Sequence, residues 1–201
     1  MITIIDYGMG NLGSIRNMLR YLSVDSRIVN KSGEIKESTK IILPGVGSFD
    51  QAMKRIEEVG FREILNQKAL DEKIPVLGIC LGMQLLTYGS EEGSLPGLGW
   101  IPANTIRFPK NNGLKVPHMG WNLVIPSTPS ILTDMLPEES RFYFVHSFYV
   151  RTENERYSIL KTNYGIDFDS GIQKDNIYGV QFHPEKSHKY GMQLLRNFTD
   201  L

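Results

Sequence analysis

The chain has 201 residues, of which 41% are hydrophobic and 22% are charged, a composition typical of one soluble globular domain, here residues 1–201. Basic and acidic residues number 22 each, so the charge does not indicate nucleic acid or an anionic membrane as a partner. The single cysteine excludes an intrachain disulfide, and the sequence shows neither a signal peptide nor a membrane-spanning run, so we expect a cytoplasmic protein.

The first half of the chain alternates strand and helix patterns. Strands are predicted at 2–6, 26–30, 40–43 and 75–79, and helices at 11–22, directly after Ser48, near 61–70 and at 81–88. Ser48 is of a residue type that caps helices and stands where the second helix begins. Near-continuous apolar strands separated by helices predict a parallel sheet covered on both faces.

The second half is richer in strands. They are predicted at 106–108, 121–125, 141–150, 157–162, 168–174 and 177–182, and short turns separate several of them before a closing helix at 190–198. The predicted fold class is therefore α/β, with a largely parallel, doubly wound sheet, helices on both faces and additional antiparallel strands in the C-terminal half.

Cys80 stands between two glycines, in Gly-Ile-Cys-Leu-Gly at 78–82, where a buried strand passes into a helix. At such a junction the first N–H groups of the helix are unpaired and the helix dipole is positive, which favours a nucleophilic thiolate. Flanking glycines permit the sharp turn of a nucleophile elbow. A lone cysteine is more often a buried structural residue, but this pattern favours a nucleophile.

A histidine and a carboxylate follow the last predicted strand, as His183 and Glu185 around Pro184. Ligands bind at strand ends in parallel sheets, and residues two apart in an extended segment point to one side. The carboxylate is therefore placed to orient the imidazole, as a catalytic triad requires.

The glycine-rich loop at 44–47 follows the third strand and is either a plain turn or half of an oxyanion hole. A tetrahedral acyl intermediate needs two N–H donors aimed at its oxygen. The amide of Leu81, next after the nucleophile, is expected to supply one, and the loop at Val46 and Gly47 the other.

The segment 8–13 matches the dinucleotide fingerprint Gly-x-Gly-x-x-Gly. The acidic residue that should end the second strand is missing, since that strand ends near Asn30 and Asp25 stands at its beginning. A nucleotide-binding module is thus a weak alternative.

The remaining histidines and aromatic residues carry less specific signals. We expect His118 to lie in a loop, His146 to end a strand facing the same cleft as His183, and His188 to be solvated. No cluster has the spacing of a structural zinc site, so neither a metal nor a cofactor is expected.

Together these motifs resemble the class-I, triad-type glutamine amidotransferases over essentially the whole chain. The resemblance rests on Gly-Ile-Cys-Leu-Gly-Met-Gln at 78–84 and Val-Gln-Phe-His-Pro-Glu at 180–185. Within that family, the blocks at 6–11, 44–49, 117–122 and 183–187 are similar to the glutaminase subunits of imidazole glycerol phosphate synthases.

The resemblance implies a reaction and a partner. Cys80 would attack the side-chain amide of L-glutamine, His183 would protonate the leaving ammonia and later activate water, and Glu185 would orient His183. The ammonia would pass inside a heterodimer to a β/α-barrel cyclase subunit that makes imidazole glycerol phosphate and an aminoimidazole carboxamide ribotide by-product in histidine biosynthesis.

The resemblance also implies further site residues. Substrate binding would involve Gly47, Gln84, Glu92, His146 and Ser147. The partner interface would involve Asn11, Trp121, Asn122, Tyr143 and Lys186.

Alternatives stay open at this point. The blocks at 88–93 and 97–101 resemble paralogues that supply ammonia for amidated sugars of surface polysaccharides. A related Cys-His hydrolase, such as a peptidase or a γ-glutamyl hydrolase, would also use the nucleophile and the histidine.

Overall fold

The structure is a computed structural model that describes residues 1–109 and 113–201. Its strands are β1 (Ile2–Ile5), β2 (Ser26–Val29), β3 (Lys40–Gly45), β4 (Val76–Cys80), β5 (Ala103–Arg107), β6 (His118–Leu123), β7 (Ile125–Pro126), β8 (Arg141–His146), β9 (Phe148–Thr152), β10 (Ser158–Asn163), β11 (Asp167–Lys174) and β12 (Ile177–Val180). Its α-helices are α1 (Leu12–Tyr21), α2 (Phe49–Glu58), α3 (Phe61–Asn66), α4 (Leu81–Leu85) and α5 (His188–Asp200).

The central sheet has the order β2-β1-β3-β4-β12-β11-β10-β7. The first five of these strands are parallel, and β11, β10 and β7 continue the sheet in antiparallel pairs. Antiparallel strands β5 and β9 join at β11, and β6 pairs with β8 in a separate two-stranded sheet. The predicted α/β class, largely parallel with added antiparallel strands, is confirmed.

Helices cover both faces of the parallel strands because successive strand residues point to opposite sides. Ile41 and Leu43 of β3 pack in one core layer with α2 and α3. Ile42 packs in the other layer with α1 and α5. In the part of the chain that the structure describes, no helix is long and apolar enough to cross a membrane.

The predicted helix at 81–88 was too long, because α4 ends at Leu85. The N–H of Tyr88, which would extend the helix by donating to the carbonyl of Gln84, donates instead to the carbonyl of Ala103 in β5. The carbonyls of Leu85 and Leu86 accept from the later segment that contains Leu98, Trp100 and Ile101. These bonds stop the helix, and none of them is visible in local sequence.

The prediction of one continuous strand at 141–150 was also wrong, because the segment forms two strands, β8 and β9, separated at Ser147. β8 pairs with β6, whereas β9 pairs with β5 and β11, so the chain changes sheets at the break. Side chains alternate between buried and less buried from 141 to 150 without interruption. Periodicity therefore could not reveal the break.

Candidate active site

Three neighbouring strand ends form the floor of the site. β3 ends at Gly45, which pairs with Cys80 at the end of β4, and β12 lies on the other side of β4. The three strands are parallel, so their carboxyl ends meet at one edge of the sheet. This edge brings the glycine-rich loop, the cysteine and the histidine segment together.

Cys80 occupies a sharp turn between β4 and α4. Its φ is 56° and its ψ is −110°, a conformation that residues with a side chain rarely adopt. The adjacent glycines permit close packing around the turn, because a Cβ on Gly82 would lie 1.8 Å from the carbonyl oxygen of Leu43. The predicted elbow is therefore present, and it presents the thiol at the start of α4.

His183 and Glu185 form a buried pair. Nδ1 of His183 lies 2.8 Å from Oε1 of Glu185, and both side chains are 2% exposed. The prediction that the two residues lie in an extended segment was wrong. The chain instead makes a 3₁₀ turn over Pro184–Lys186, which brings the carboxylate back to the imidazole. The orienting contact is as expected, although the backbone reaches it differently.

The protonation of His183 is set by its neighbours. Burial lowers its pKa, but the hydrogen bonds and charges of Cys80 and Glu185 outweigh burial and raise the pKa to about 10. Nε2 of His183 is buried and has no hydrogen-bond partner of ordinary geometry among the described residues. This nitrogen is therefore free to exchange a proton at the sulfur.

A cavity of about 310 Å³ opens beside Cys80. A volume of this size is suited to a small metabolite. Its lining comprises Val46, Gly47, Cys80, Leu81, Gln84, Glu92, Pro117, Val145, His146, Ser147 and Phe148. The residues predicted for the oxyanion hole and for substrate binding thus lie around one cavity with the nucleophile.

The glycine-rich loop borders this cavity. Gly47 has a φ of +116°, which favours glycine, and Val46 is 43% exposed. Leu81, next after Cys80, is the first residue of α4, whose leading amides have no partner in a preceding turn. The two segments that the sequence predicted as sources of oxyanion-hole N–H donors, the loop and the start of α4, thus both line the cavity.

The family model of class-I glutamine amidotransferases matches residues 3–201. The chain belongs to this family. It is 57% identical to imidazole glycerol phosphate synthase subunit HisH 2 of Methanococcus maripaludis over 198 residues, which is 98% of each chain. It is 48% identical to the subunit HisH of the same synthase from Bdellovibrio bacteriovorus, over 100% of both chains. The predicted resemblance is confirmed.

The fold agrees with this family assignment. A solved structure described as a glutamine amidotransferase superposes with a TM-score of 0.77 at 17% identity, covering 99% of this chain and 97% of that one. The loop, elbow and histidine segment described above are thus part of an amidotransferase fold.

Two predicted substrate-binding residues of this amidotransferase are already engaged within the chain. Oε2 of Glu92 accepts from the backbone N–H of Phe49, 2.8 Å away. Glu92 thereby caps α2, whereas Ser48, predicted as the cap, makes no side-chain capping bond. Gln84 donates from its Nε2 to the carbonyl oxygen of Phe148 and to Oε1 of Gln181, so its Oε1 is the atom that it can offer to a ligand.

The histidine at 118 differs from its prediction. His118 is buried in β6 rather than in a loop, and its Nδ1 lies 2.9 Å from Nε2 of His146. Burial lowers the pKa of His118 to about 4 and that of His146 to about 3, so both rings are neutral at pH 7. His146 ends β8 and lines the cavity, as expected.

Three of the five residues predicted for a partner interface form one exposed aromatic cluster. The rings of Trp121 and Tyr143 lie 6.2 Å apart, Nζ of Lys186 lies 5.6 Å from the ring centre of Tyr143, and His188 stacks on Trp121. Asn122 is half-buried and hydrogen-bonded within the chain.

Asn122 and the remaining predicted interface residue, Asn11, both make hydrogen bonds within the chain. The side chain of Asn122 hydrogen-bonds to Asn163 and His118. Asn11 caps α1 by accepting from the N–H of Ser14. The segment 8–13, which matched a dinucleotide fingerprint, is therefore used at least in part to start this helix.

Sequence reasoning missed the contact between the Gln181 side chain and the nucleophile. Nε2 of Gln181 lies 3.8 Å from Sγ of Cys80. The alternation of an extended strand was the available signal, because Gln181 is two residues before His183 and so faces the same side.

Proposed function

We propose that this chain is the glutaminase subunit of an imidazole glycerol phosphate synthase, hydrolysing L-glutamine and passing ammonia to a cyclase subunit in histidine biosynthesis. The cyclase would use the ammonia to make imidazole glycerol phosphate and the aminoimidazole carboxamide ribotide by-product. The observation that carries the proposal is that Cys80 lines the cavity bordered by the glycine-rich loop and interacts with the His183–Glu185 pair. The names of the two relatives support the choice of synthase.

The first half-reaction forms a thioester. The thiolate of Cys80 attacks the side-chain carbonyl carbon of glutamine, and the carbonyl oxygen becomes an oxyanion held by the N–H of Leu81 and an N–H of the loop at Val46 and Gly47. Collapse of this intermediate breaks the carbon–nitrogen bond. The imidazolium of His183 gives its proton to the leaving nitrogen, and ammonia departs.

The second half-reaction releases glutamate. Water attacks the thioester carbon and gives a proton to Nε2 of His183, and the sulfur leaves as a thiolate. The carboxylate of Glu185 accepts a hydrogen bond from Nδ1–H of His183 throughout the reaction. This bond fixes the tautomer of the imidazole and stabilises the imidazolium. Glutamine and water are thereby converted to glutamate and ammonia, and the enzyme returns to its starting state.

The cavity offers groups for both ends of the substrate. Oε1 of Gln84 and the carboxylate of Glu92 are acceptors suited to the α-ammonium or amide N–H groups of glutamine. Backbone N–H groups at Gly47 and at His146–Ser147 are suited to its oxygens. Glutamine is the substrate that this combination of acceptors, oxyanion donors and nucleophile favours.

The partner would bind beside the cavity. Trp121 is 45% exposed, and together with Tyr143 and Lys186 it forms an aromatic and cationic surface of the kind enriched at protein interfaces. Asn11, at the start of α1, and Asn122, on the same strand as Trp121, would flank it. A cyclase barrel on this surface would receive ammonia without its release into solvent.

The test compares two nitrogen sources in the purified complex with a cyclase subunit. Cys80→Ala should abolish synthesis from glutamine and leave synthesis from added ammonium salt unchanged, because only the first needs the nucleophile. Loss of both activities, or retention of the glutamine-dependent one, would contradict the proposal. Glutamine hydrolysis without any cyclase product would favour the sugar-amidation alternative.

A further inference from the structure

A buried amide contacts the sulfur of Cys80. Val180 of β12 pairs with Ile79 of β4, so the next residues of the two strands, Gln181 and Cys80, lie side by side. The side chain of Gln181 is fully buried, and its Nε2 lies 3.8 Å from Sγ of Cys80, within hydrogen-bond distance for sulfur.

The orientation of this amide follows from its neighbours. The carbonyl oxygen of Phe148 can only accept, so the nitrogen of Gln84, 3.2 Å away, must face it. The same nitrogen donates to Oε1 of Gln181 at 3.1 Å. With its oxygen engaged by Gln84, Gln181 can present only its N–H groups to the sulfur.

The donor matters because a backbone group that also contacts the sulfur is an acceptor. The carbonyl oxygen of Val145 lies 4.0 Å from Sγ, where it accepts from the neutral thiol and repels a thiolate. An N–H group has the opposite effect, since its bond to sulfur strengthens when the sulfur is negatively charged. Gln181 therefore favours the charged form.

We propose that Gln181 is a thiolate-binding residue of the site and that Gln84 is a positioning residue that fixes the Gln181 amide in its donating orientation. The inference rests on the proposed function in taking Cys80 as the nucleophile. The N–H of Gln181 stabilises the sulfur in the two states in which it is anionic: before attack on glutamine and on expulsion from the thioester. Gln84 thereby has a role beyond lining the substrate cavity.

The experiment measures the rate of alkylation of Cys80 by iodoacetamide as a function of pH in the purified full chain. Because Cys80 is the only cysteine, the label reports a single residue. Gln181→Met keeps the length of the side chain and removes the donor. The midpoint of the pH profile should move up by about one unit, which is about a tenfold loss of reactive thiolate at lower pH.

Two further variants test the positioning step. Gln84→Met should move the midpoint in the same direction by a smaller amount, and the double variant should move it no further than Gln181→Met alone, because both act through one contact. Gln173→Met is the matched control, since the Gln173 amide donates to Asp175 away from the site and its loss should leave the profile unchanged.

An unmoved midpoint in a folded Gln181→Met chain would overturn the proposal, and additive shifts in the double variant would overturn the role of Gln84.

If Gln181→Met does not fold, Gln181→Glu is the substitute variant. It keeps the acceptor toward Gln84 and removes the donor, and it should raise the midpoint of the alkylation profile further. Alkylation involves no glutamine. A wild-type complex that fails to hydrolyse glutamine, with these shifts intact, would thus refute the proposed function alone.

Discussion

At the scale of single residues, the site combines an unusual backbone conformation with a pair of charges. Cys80 is held at a φ of 56° and a ψ of −110°, and such conformations cost on the order of 1–3 kcal/mol. The turn is closely packed, because a Cβ on Gly78 or Gly82 would lie within 2.6 Å of a backbone oxygen. This backbone conformation places the thiol so that it faces both the cavity and the His183–Glu185 pair.

The charge state of His183 should depend on Cys80. Because the Cys80 side chain is the largest influence that raises the pKa of His183, the imidazole in the free chain should stay protonated toward pH 10, well above its ordinary value of 6.5. Cys80→Ser removes this influence and should lower the pKa of His183. Proton NMR titration of the His183 ring would measure both values; a midpoint near 6.5 in the wild type would contradict the assignment.

The same shift has a consequence for stability. A pKa that is higher in the folded than in the unfolded state stabilises the fold fully below pH 6.5, and this contribution is lost as the pH rises toward about 10. The difference in unfolding free energy between the wild type and His183→Gln should therefore shrink across that window. Urea denaturation at several pH values would show it.

At the scale of elements, the sequence was sufficient where one local signal determined the structure. The apolar strands, the amphipathic helix α1 and the cysteine between two glycines each carry their own pattern, and each was predicted in place. The end of α4 and the break at Ser147 depend on partners distant in the chain, and they were missed. The prediction of the α2 cap was wrong for the same reason, because Glu92 lies 43 residues along the chain from the N–H group that donates to it.

The elbow also predicts how two glycines differ. Gly82→Ala should destabilise the fold by about 4 kcal/mol or more, because the added carbon would overlap the carbonyl oxygen of Leu43. Gly13→Ala is the matched control: it is an exposed position of helix α1 with nothing within 4 Å, and the change should stabilise by about 0.5–1 kcal/mol. Chemical denaturation of both variants would measure the contrast, and equal effects would show that the elbow is not closely packed.

At the scale of the whole molecule, the carboxyl edge of the parallel sheet carries the proposed catalytic residues, and the β6–β8 sheet carries the exposed aromatic cluster. Trp121 and Tyr143 lie on β6 and β8, and His146 at the end of β8 lines the cavity. A partner bound at this cluster would therefore be close to the groups that we propose bind the substrate. The sequence predicted these residues only through resemblance, because their proximity depends on the pairing of β6 with β8.

This arrangement leads us to expect that the partner controls hydrolysis. A turn of one peptide in the loop at Val46 and Gly47 would be enough to complete or dismantle the oxyanion hole, so the cyclase and its ligand should raise the turnover of glutamine by about tenfold or more. Steady-state glutaminase assays with and without the partner would measure this ratio, and equal rates would exclude control by the partner.

A pair of surface variants separates this effect from general damage. Trp121→Ala should reduce the stimulation by the partner, because it removes an exposed aromatic side chain from the proposed interface. Tyr21→Ala is the control. It removes a side chain that is 77% exposed at the C-terminal end of α1, the end away from Asn11, and it should leave the stimulation unchanged. Equal losses in both variants would argue against this surface as the interface.

The central claim is that the sulfur of Cys80 carries the substrate acyl group within the cavity beside His183. Rapid acid quenching of the complex during turnover of glutamine, followed by mass spectrometry of the digested chain, tests it most directly. We predict a glutamyl adduct on the peptide that contains Cys80, absent from Cys80→Ser and sensitive to thiolysis. An adduct on another residue, or glutamine turnover that persists in Cys80→Ser, would contradict it.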